Sequence, residues 1–203
     1  MKIHRVLDEV FRTWSNVAVL RALIDTNTGY SGNEVARVAG MSPRSALKAL
    51  TLLEGLGIIN RQVGGRDHIF TLNREHFLVD QILINLFDAE IKFREEFIKY
   101  LATILKKRVY SAVIFGSVAR KEEEIYSDVD ICCIVDRQFD AINIRAELAK
   151  KEGQLYKKFG VKLAPVIFLK DQFMRKRKNK LIKTIVSEGI LITGKHPKGL
   201  LSG

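Results

Sequence analysis

Apolar residues recur with helical spacing from the start of the chain. Ile3, Val6, Leu7, Val10, Trp14, Val17, Leu20 and Leu23 predict one amphipathic helix over 3–23. The turn signal "DTNTGYSG" ends it. "NEVARVAG" then reads as a short helix closed by Gly40, and Ser42 with Pro43 opens another, serine as N-cap and proline at the first helical position. That helix, "PRSALKALTLLEGLG", is expected to bury Ala46, Leu47, Leu50, Leu53 and Leu56 and to stop at Gly57. "IINRQV" and "RDHIFTLN" flank a Gly-Gly turn and predict a two-stranded hairpin. From Glu75 to about Lys107 no Pro or Gly interrupts a long helical stretch carrying Phe77, Ile82, Leu86, Ile91, Phe97, Ile98 and Leu101. It is expected to connect two domains, and its apolar face also suits a homodimer contact. Beyond it, "RVYSAVIF" and "DVDICCIVD" are apolar and β-branched enough for buried strands, a helix spans Ala141 to Phe159, and "VKLAPVIFL" is a third strand. The expected class is α+β, with domains at 1–74, 75–107 and 108–203.

Length and composition narrow the class further. The chain has 203 residues, 47% of them hydrophobic, enough for one good core or two small ones. No apolar run reaches about 18 residues and the start, "MKIHRVLDEVFRTW", is charged, so neither a membrane span nor a secretory signal is expected, and the reading is a cytoplasmic protein without a membrane partner. Cys132 and Cys133 are adjacent, which suits neither an ordinary disulfide nor a zinc site. The net charge of +11 points to a polyanionic partner, and it is uneven: residues 170–198 carry nine Lys/Arg against two Asp/Glu, whereas residues 1–73 carry nine against six. The cations of "MRKRKNKLIK" either are solvated or meet substrate phosphates, nucleic acid near a site, or an acidic partner.

The stretch "SGNEVARVAGMSPRSALKALTLLEGLGIINRQVGGRDHIFTLN" resembles the winged helix-turn-helix module, including its "LxxLExxGII" run into the wing. The resemblance implies binding to double-stranded DNA. Ser42, Arg44, Ser45 and Lys48, on the N-terminal half of the second helix, would face base edges and phosphates, and Arg61, Arg66 and His68 would lie on the wing. The alternative is a winged helix used only for protein contact.

In the second half, Gly116 and Ser117 end an apolar strand just before "VAR", which can start a helix. A glycine there lets backbone amides approach a ligand, and the helix start turns them toward an anion. In "SDVD", side chains alternate faces, so Asp128 and Asp130 share one face about 7 Å apart at the backbone, within reach of a single metal ion.

Together "GSVARKEEEIYSDVD" resembles the signature of the polymerase-β-like nucleotidyltransferase superfamily: a Gly-Ser pair, an arginine three residues on, then Ser-Asp-x-Asp. The resemblance implies a small mixed sheet with flanking helices and a Mg²⁺-dependent transfer from ATP or another nucleoside triphosphate. Gly116 and Ser117 would contact phosphates, Arg120 and Ser127 would support the nucleotide site, and Asp128 and Asp130 would be the catalytic metal ligands. A third carboxylate is expected on a later strand. "VKLAPVIFL" has none: Ala164 or Lys162 stands in its place, and Asp136 or Asp171 would substitute only if the backbone brought one of them round. Three roles follow: a transferase acting on a protein or other acceptor, a DNA-bound regulator that senses nucleotide with little turnover, and a role like that of antitoxin minimal nucleotidyltransferases, which pair with a small helical toxin.

Overall fold

The computed structural model describes residues 3–64 and 67–201, and the chain divides into two units, 1–92 and 93–203. The first begins with helices α1 (Val6–Val10) and α2 (Trp14–Ile24), where the sequence pattern had predicted one continuous helix. The break lies at Thr13. Its backbone is extended and its hydroxyl accepts from the Asn16 amide, so it caps a new helix, while the buried Asn16 side chain donates to the Glu9 carbonyl across the gap. A strand β1 (Tyr30–Ser31) leads into α3 (Gly32–Val38). Ser31 and Glu34 form a capping box in which the serine hydroxyl accepts from the Glu34 amide and the glutamate accepts from the Ser31 amide.

Helix α4 (Pro43–Gly55) starts at Ser42 and Pro43 as expected, with the Ser42 hydroxyl accepting from the Ser45 amide. Its inner face is Ala46, Ala49, Leu50 and Leu53, the i, i+3, i+4, i+7 set. Leu47 was expected inside but is 57% exposed, because it falls on the opposite stripe with Arg44, Lys48 and Thr51; Leu56 is only partly buried. The chain turns out of the helix at Gly57, whose φ of 76° lies in the left-handed region. Strands β2 (Ile59–Gly64) and β3 (Asp67–Leu72) form the hairpin, paired from Ile59 with Leu72 to Gly64 with Asp67. β1 adds to the free edge of β3, giving the order β1-β3-β2. Helices and hairpin close over Val19, Leu20, Leu23, Val35, Leu50 and Ile58, all wholly buried, each contributing on the order of 1.5–3 kcal/mol if large.

A π turn (Val79–Leu83) leads into α5 (Ile84–Leu105), which runs from the first unit into the second. The buried side chains are Val79, Leu83 and Phe87 in the first unit and Phe97, Leu101 and Leu105 in the second, whereas Phe77, Leu86 and Ile91 are exposed. Phe97 and Leu101 of the expected stripe are thus buried, whereas its members Phe77, Leu86 and Ile91 are not.

The second unit continues with β4 (Ser111–Phe115), a one-turn helix α6 (Ser117–Arg120), β5 (Val129–Val135), α7 (Gln138–Phe159), β6 (Leu163–Leu169), α8 (Lys170–Arg175), α9 (Lys180–Glu188) and β7 (Ile190–Gly194). The sheet order is β6-β5-β4-β7. β5 and β6 are parallel, joined by α7, and the other pairs are antiparallel. The end of α5 and α7 cover one face through Leu101, Leu105, Ile144 and Leu148; α8 and α9 cover the other through Phe173, Ile182 and Ile185. This is the expected α+β arrangement of a small mixed sheet with flanking helices. Burial on both faces explains why "ICCIV" reads as an unbroken apolar run. Cys132 and Cys133 point to opposite faces, and burial pushes the Cys133 thiol up to about 12 and that of Cys132 in the same direction, so both are inert packing residues. Among the described residues no helix is long and apolar enough to cross a membrane.

Candidate functional site

Register places the predicted residues at one end of the second sheet. Phe115, the last residue of β4, pairs with Asp130 near the start of β5, and Asp130 pairs with Ala164 near the start of β6. Partners in register share a face. Asp130 therefore lies between Phe115 and Ala164 on the side covered by α8 and α9, the side on which Cys132 and Ile134 are buried.

Gly116 follows Phe115 with φ 76° and ψ −148°, a conformation that belongs essentially to glycine. A β-carbon added there would run into Asp130 Oδ2 and crowd the rest of that carboxyl group. The glycine thus makes room for the Asp130 carboxylate against the backbone of the turn. Ser117 opens α6, a single turn, in which Arg120 and Glu122 amides donate to the Gly116 and Ser117 carbonyls. Asp128 stands one residue before β5, exposed, and Asp130 is half-buried. Among the described residues neither carboxylate has a hydrogen bond or ion pair, and no group of three His, Cys, Asp or Glu side chains is gathered to hold a metal. Two hard oxygen ligands without partners suit Mg²⁺, which is commonly bound by one or two carboxylates, water and substrate phosphates. The residues present therefore fit one such ion with a triphosphate supplying further oxygens.

Arg120 sits at the same end but is already held. Its Nε donates to Glu122 at 2.7 Å and its Nη1 to Glu188 at 3.0 Å, and these two carboxylates, Glu122 foremost, push its pKa further up. Glu188, the last residue of α9, was not singled out by the sequence; a lone glutamate some seventy residues downstream carries no signal of such a pairing. Ser127 is likewise occupied. Its hydroxyl accepts from the Glu124 amide and its amide donates to the Glu124 carbonyl, closing a tight turn that presents Ile125 and Tyr126 almost fully to solvent.

Ala164 occupies the place beside Asp130 where the third acid was expected, and Lys162 precedes it on the same face, its carbonyl accepting from the Val129 amide. The two substitutes suggested by the sequence are at the wrong end. Asp136 follows β5 and Asp171 follows β6, and because these strands are parallel both lie beyond the Val135–Leu169 pair, about 20 Å of strand away from Asp130.

In the first unit Arg44 and Lys48 are exposed one turn apart on α4. The Ser42 and Ser45 hydroxyls are hydrogen-bonded to each other at 2.9 Å. Arg61 is paired with Glu54 at 3.0 Å, His68 is exposed on β3, and Arg66 lies outside the described residues.

Residues 94–192 match the family model described as a nucleotidyltransferase domain, a span that encloses β4, β5, β6 and every acidic and phosphate-seat residue of this site. A Methanocaldococcus jannaschii protein that carries the provisional name of protein adenylyltransferase is 29% identical over 80 residues, 39% of this chain and 80% of that one. The second unit thus contains a nucleotidyltransferase-type domain, and nucleotidyl transfer in general is supported.

Proposed function

We propose that the second unit binds a magnesium–nucleoside triphosphate, ATP in the first instance, at Gly116, Ser117, Asp128 and Asp130, and transfers its nucleotidyl group to a hydroxyl of a protein. The observation that carries this reading is the seating of the Asp130 carboxylate, unpartnered among the described residues, against Gly116, two residues along the chain from Asp128. What bound Mg²⁺ supplies is neutralisation of charge on the triphosphate and on the pyrophosphate leaving group. Gly116 and the start of α6 hold the phosphates against the backbone, and Asp128 with Asp130 fixes where the α-phosphate lies. The acceptor oxygen bonds to the α-phosphorus, the bond to the bridging oxygen of pyrophosphate breaks, and the hydroxyl proton leaves to solvent, since Ala164 offers no base. A missing general base costs typically about 10²- to 10⁴-fold in rate, so turnover is slow. The protein acceptor is suggested by the name of the archaeal relative.

The first unit is read as a winged helix that brings this domain to duplex DNA through Arg44 and Lys48. Ala164 also favours a second reading, in which the nucleotide is sensed with little turnover by a repressor, as in an antitoxin paired with a helical toxin. Incubation with α-labelled ATP, Mg²⁺ and cell extract separates the two. Transfer predicts labelled protein that disappears when Asp128→Asn is combined with Asp130→Asn; label that persists in this variant, or none with the wild type, contradicts transfer at this site.

A further inference from the structure

The sheet of the second unit has a second end, where cations are in excess. The register puts Ser111 beside Gly194 and Val135 beside Leu169, so Tyr110, Lys170 and Lys195 gather where β4 begins and β6 and β7 finish. The Tyr110 amide donates to the Ile134 carbonyl and its own carbonyl accepts from the Lys195 amide, which fixes the ring at this edge. Two ammonium groups converge on it: Lys170 Nζ lies 4.5 Å and Lys195 Nζ 6.0 Å from the ring centroid. Lys176, just after α8, holds its ammonium 5.8 Å over Phe168, the penultimate residue of β6. Because the Glu188–Arg120 pair ties the end of α9 to the carboxylate end, the start of α9 and the loop Lys176–Asn179 before it fall toward the opposite one.

Lys170, Lys176 and Lys195, from the basic stretch 170–198, thus stand at the end of the sheet away from Asp130, about 15–20 Å along the strands. Among the described residues none of Lys170, Lys176, Arg177, Lys178 and Lys195 forms an ion pair. The arginines that follow β5 and precede β4 do pair, Arg137 with Asp140 and Arg108 with Glu147. Asp136 and Asp171 lie at this end too, but the cations outnumber them and, among the described residues, neither aspartate forms an ion pair; the surplus of like charge repels, and a polyanion relieves that repulsion.

We propose that this end of the second unit is a nucleic-acid-binding surface that grips the phosphate backbone, separate from the nucleotide site. The cations come from the start of α8, the loop after it and the residue that follows β7. α8 and α9 turn Phe173, Ile182 and Ile185 inward, and among the described residues Leu181 is their one exposed large apolar side chain, too little for a face that inserts in lipid. The inference does not rest on the proposed transfer, and bound nucleic acid leaves the ATP site open.

The test uses the full chain with Arg44→Ala and Lys48→Ala in the background, so that DNA contact by the first unit is removed. Fluorescence anisotropy follows a labelled oligonucleotide of about 24 nucleotides, as single-stranded RNA and as duplex DNA, between about 50 and 200 mM salt. Adding Lys176→Gln, Arg177→Gln and Lys178→Gln weakens binding at least about tenfold and lowers the salt slope by about 2 to 3. Removing the same charge from α7, with Lys150→Gln, Lys151→Gln and Lys157→Gln, changes affinity less than about threefold, the share expected of net charge alone. Lys170→Gln with Lys195→Gln also weakens binding, and saturating Mg²⁺ and ATP does not displace the oligonucleotide. An unchanged affinity in the triple loop variant with unaltered thermal unfolding, an equal loss in the α7 variant, competition by ATP, or tighter binding to phosphatidylserine vesicles would each overturn the proposal.

Discussion

Asp130 owes its position to a residue without a side chain. Gly116 both adopts a backbone conformation closed to other residues and leaves the space that the Asp130 carboxylate occupies. Gly116→Ala therefore acts twice, straining the turn by about 1–3 kcal/mol and pushing the carboxylate out of line with Asp128. The expected outcome is a lower melting temperature together with at least a tenfold weaker Mg²⁺-dependent affinity for ATP, measured by thermal unfolding and titration. Retained affinity in a destabilised variant would show that the glycine serves the turn alone. Arg120 illustrates the opposite case, where residue type misleads: a single arginine near a phosphate seat looks free to bind phosphate, yet Glu122 and Glu188 both hold it, and that pairing depends on a contact 68 residues apart in sequence.

At the scale of elements, β5 and β6 decide which side chains meet at the carboxylate end of the sheet. The alternation that puts Asp128 and Asp130 on one face is a property of any strand and was legible in "SDVD". The place of the third acid was narrowed to Ala164 or Lys162 but not further, because register between strands separated by a 22-residue helix is settled by packing on both faces of the sheet. That register selects Ala164 as the neighbour and rules out Asp136 and Asp171. Ala164→Asp should restore the missing carboxylate, raising the rate of label transfer from α-labelled ATP by about 10²-fold, the lower end of what a positioned general base contributes. No gain, in a variant that still binds ATP, would mean that the third acid is not what limits turnover. Helix starts marked by their own residues were similarly readable, as at Ser42 and Pro43, while the break at Thr13 was hidden because an apolar stripe of helical spacing runs straight across it. The short strand β1 was masked by a turn-forming stretch, and it forms only because β3 presents an edge to it.

Across the whole molecule two units carry two kinds of surface. The helices and hairpin of the first leave Arg44 and Lys48 exposed on one stripe of α4, and if that stripe contacts duplex DNA, Arg44→Ala with Lys48→Ala weakens binding to a sequence selected from genomic fragments by about tenfold or more, with a salt slope shallower by about 2. Equal binding by the variant in an electrophoretic shift would turn this unit into a protein-contact module. At one end of its sheet the second unit carries Asp128 and Asp130 beside the Gly116 turn, and at the other lysines and arginines in excess; among the described residues neither these aspartates nor Lys170, Lys176, Arg177, Lys178 and Lys195 form an ion pair. The proposed nucleotide site lies at the end that carries Asp128 and Asp130. Calorimetric titration with ATP, with and without Mg²⁺, on the wild type and on the chain carrying Asp128→Asn and Asp130→Asn tests it most directly: binding that requires Mg²⁺ and vanishes in the double variant is the predicted result, and binding that is absent from the wild type, indifferent to the metal or untouched by the two substitutions would contradict it.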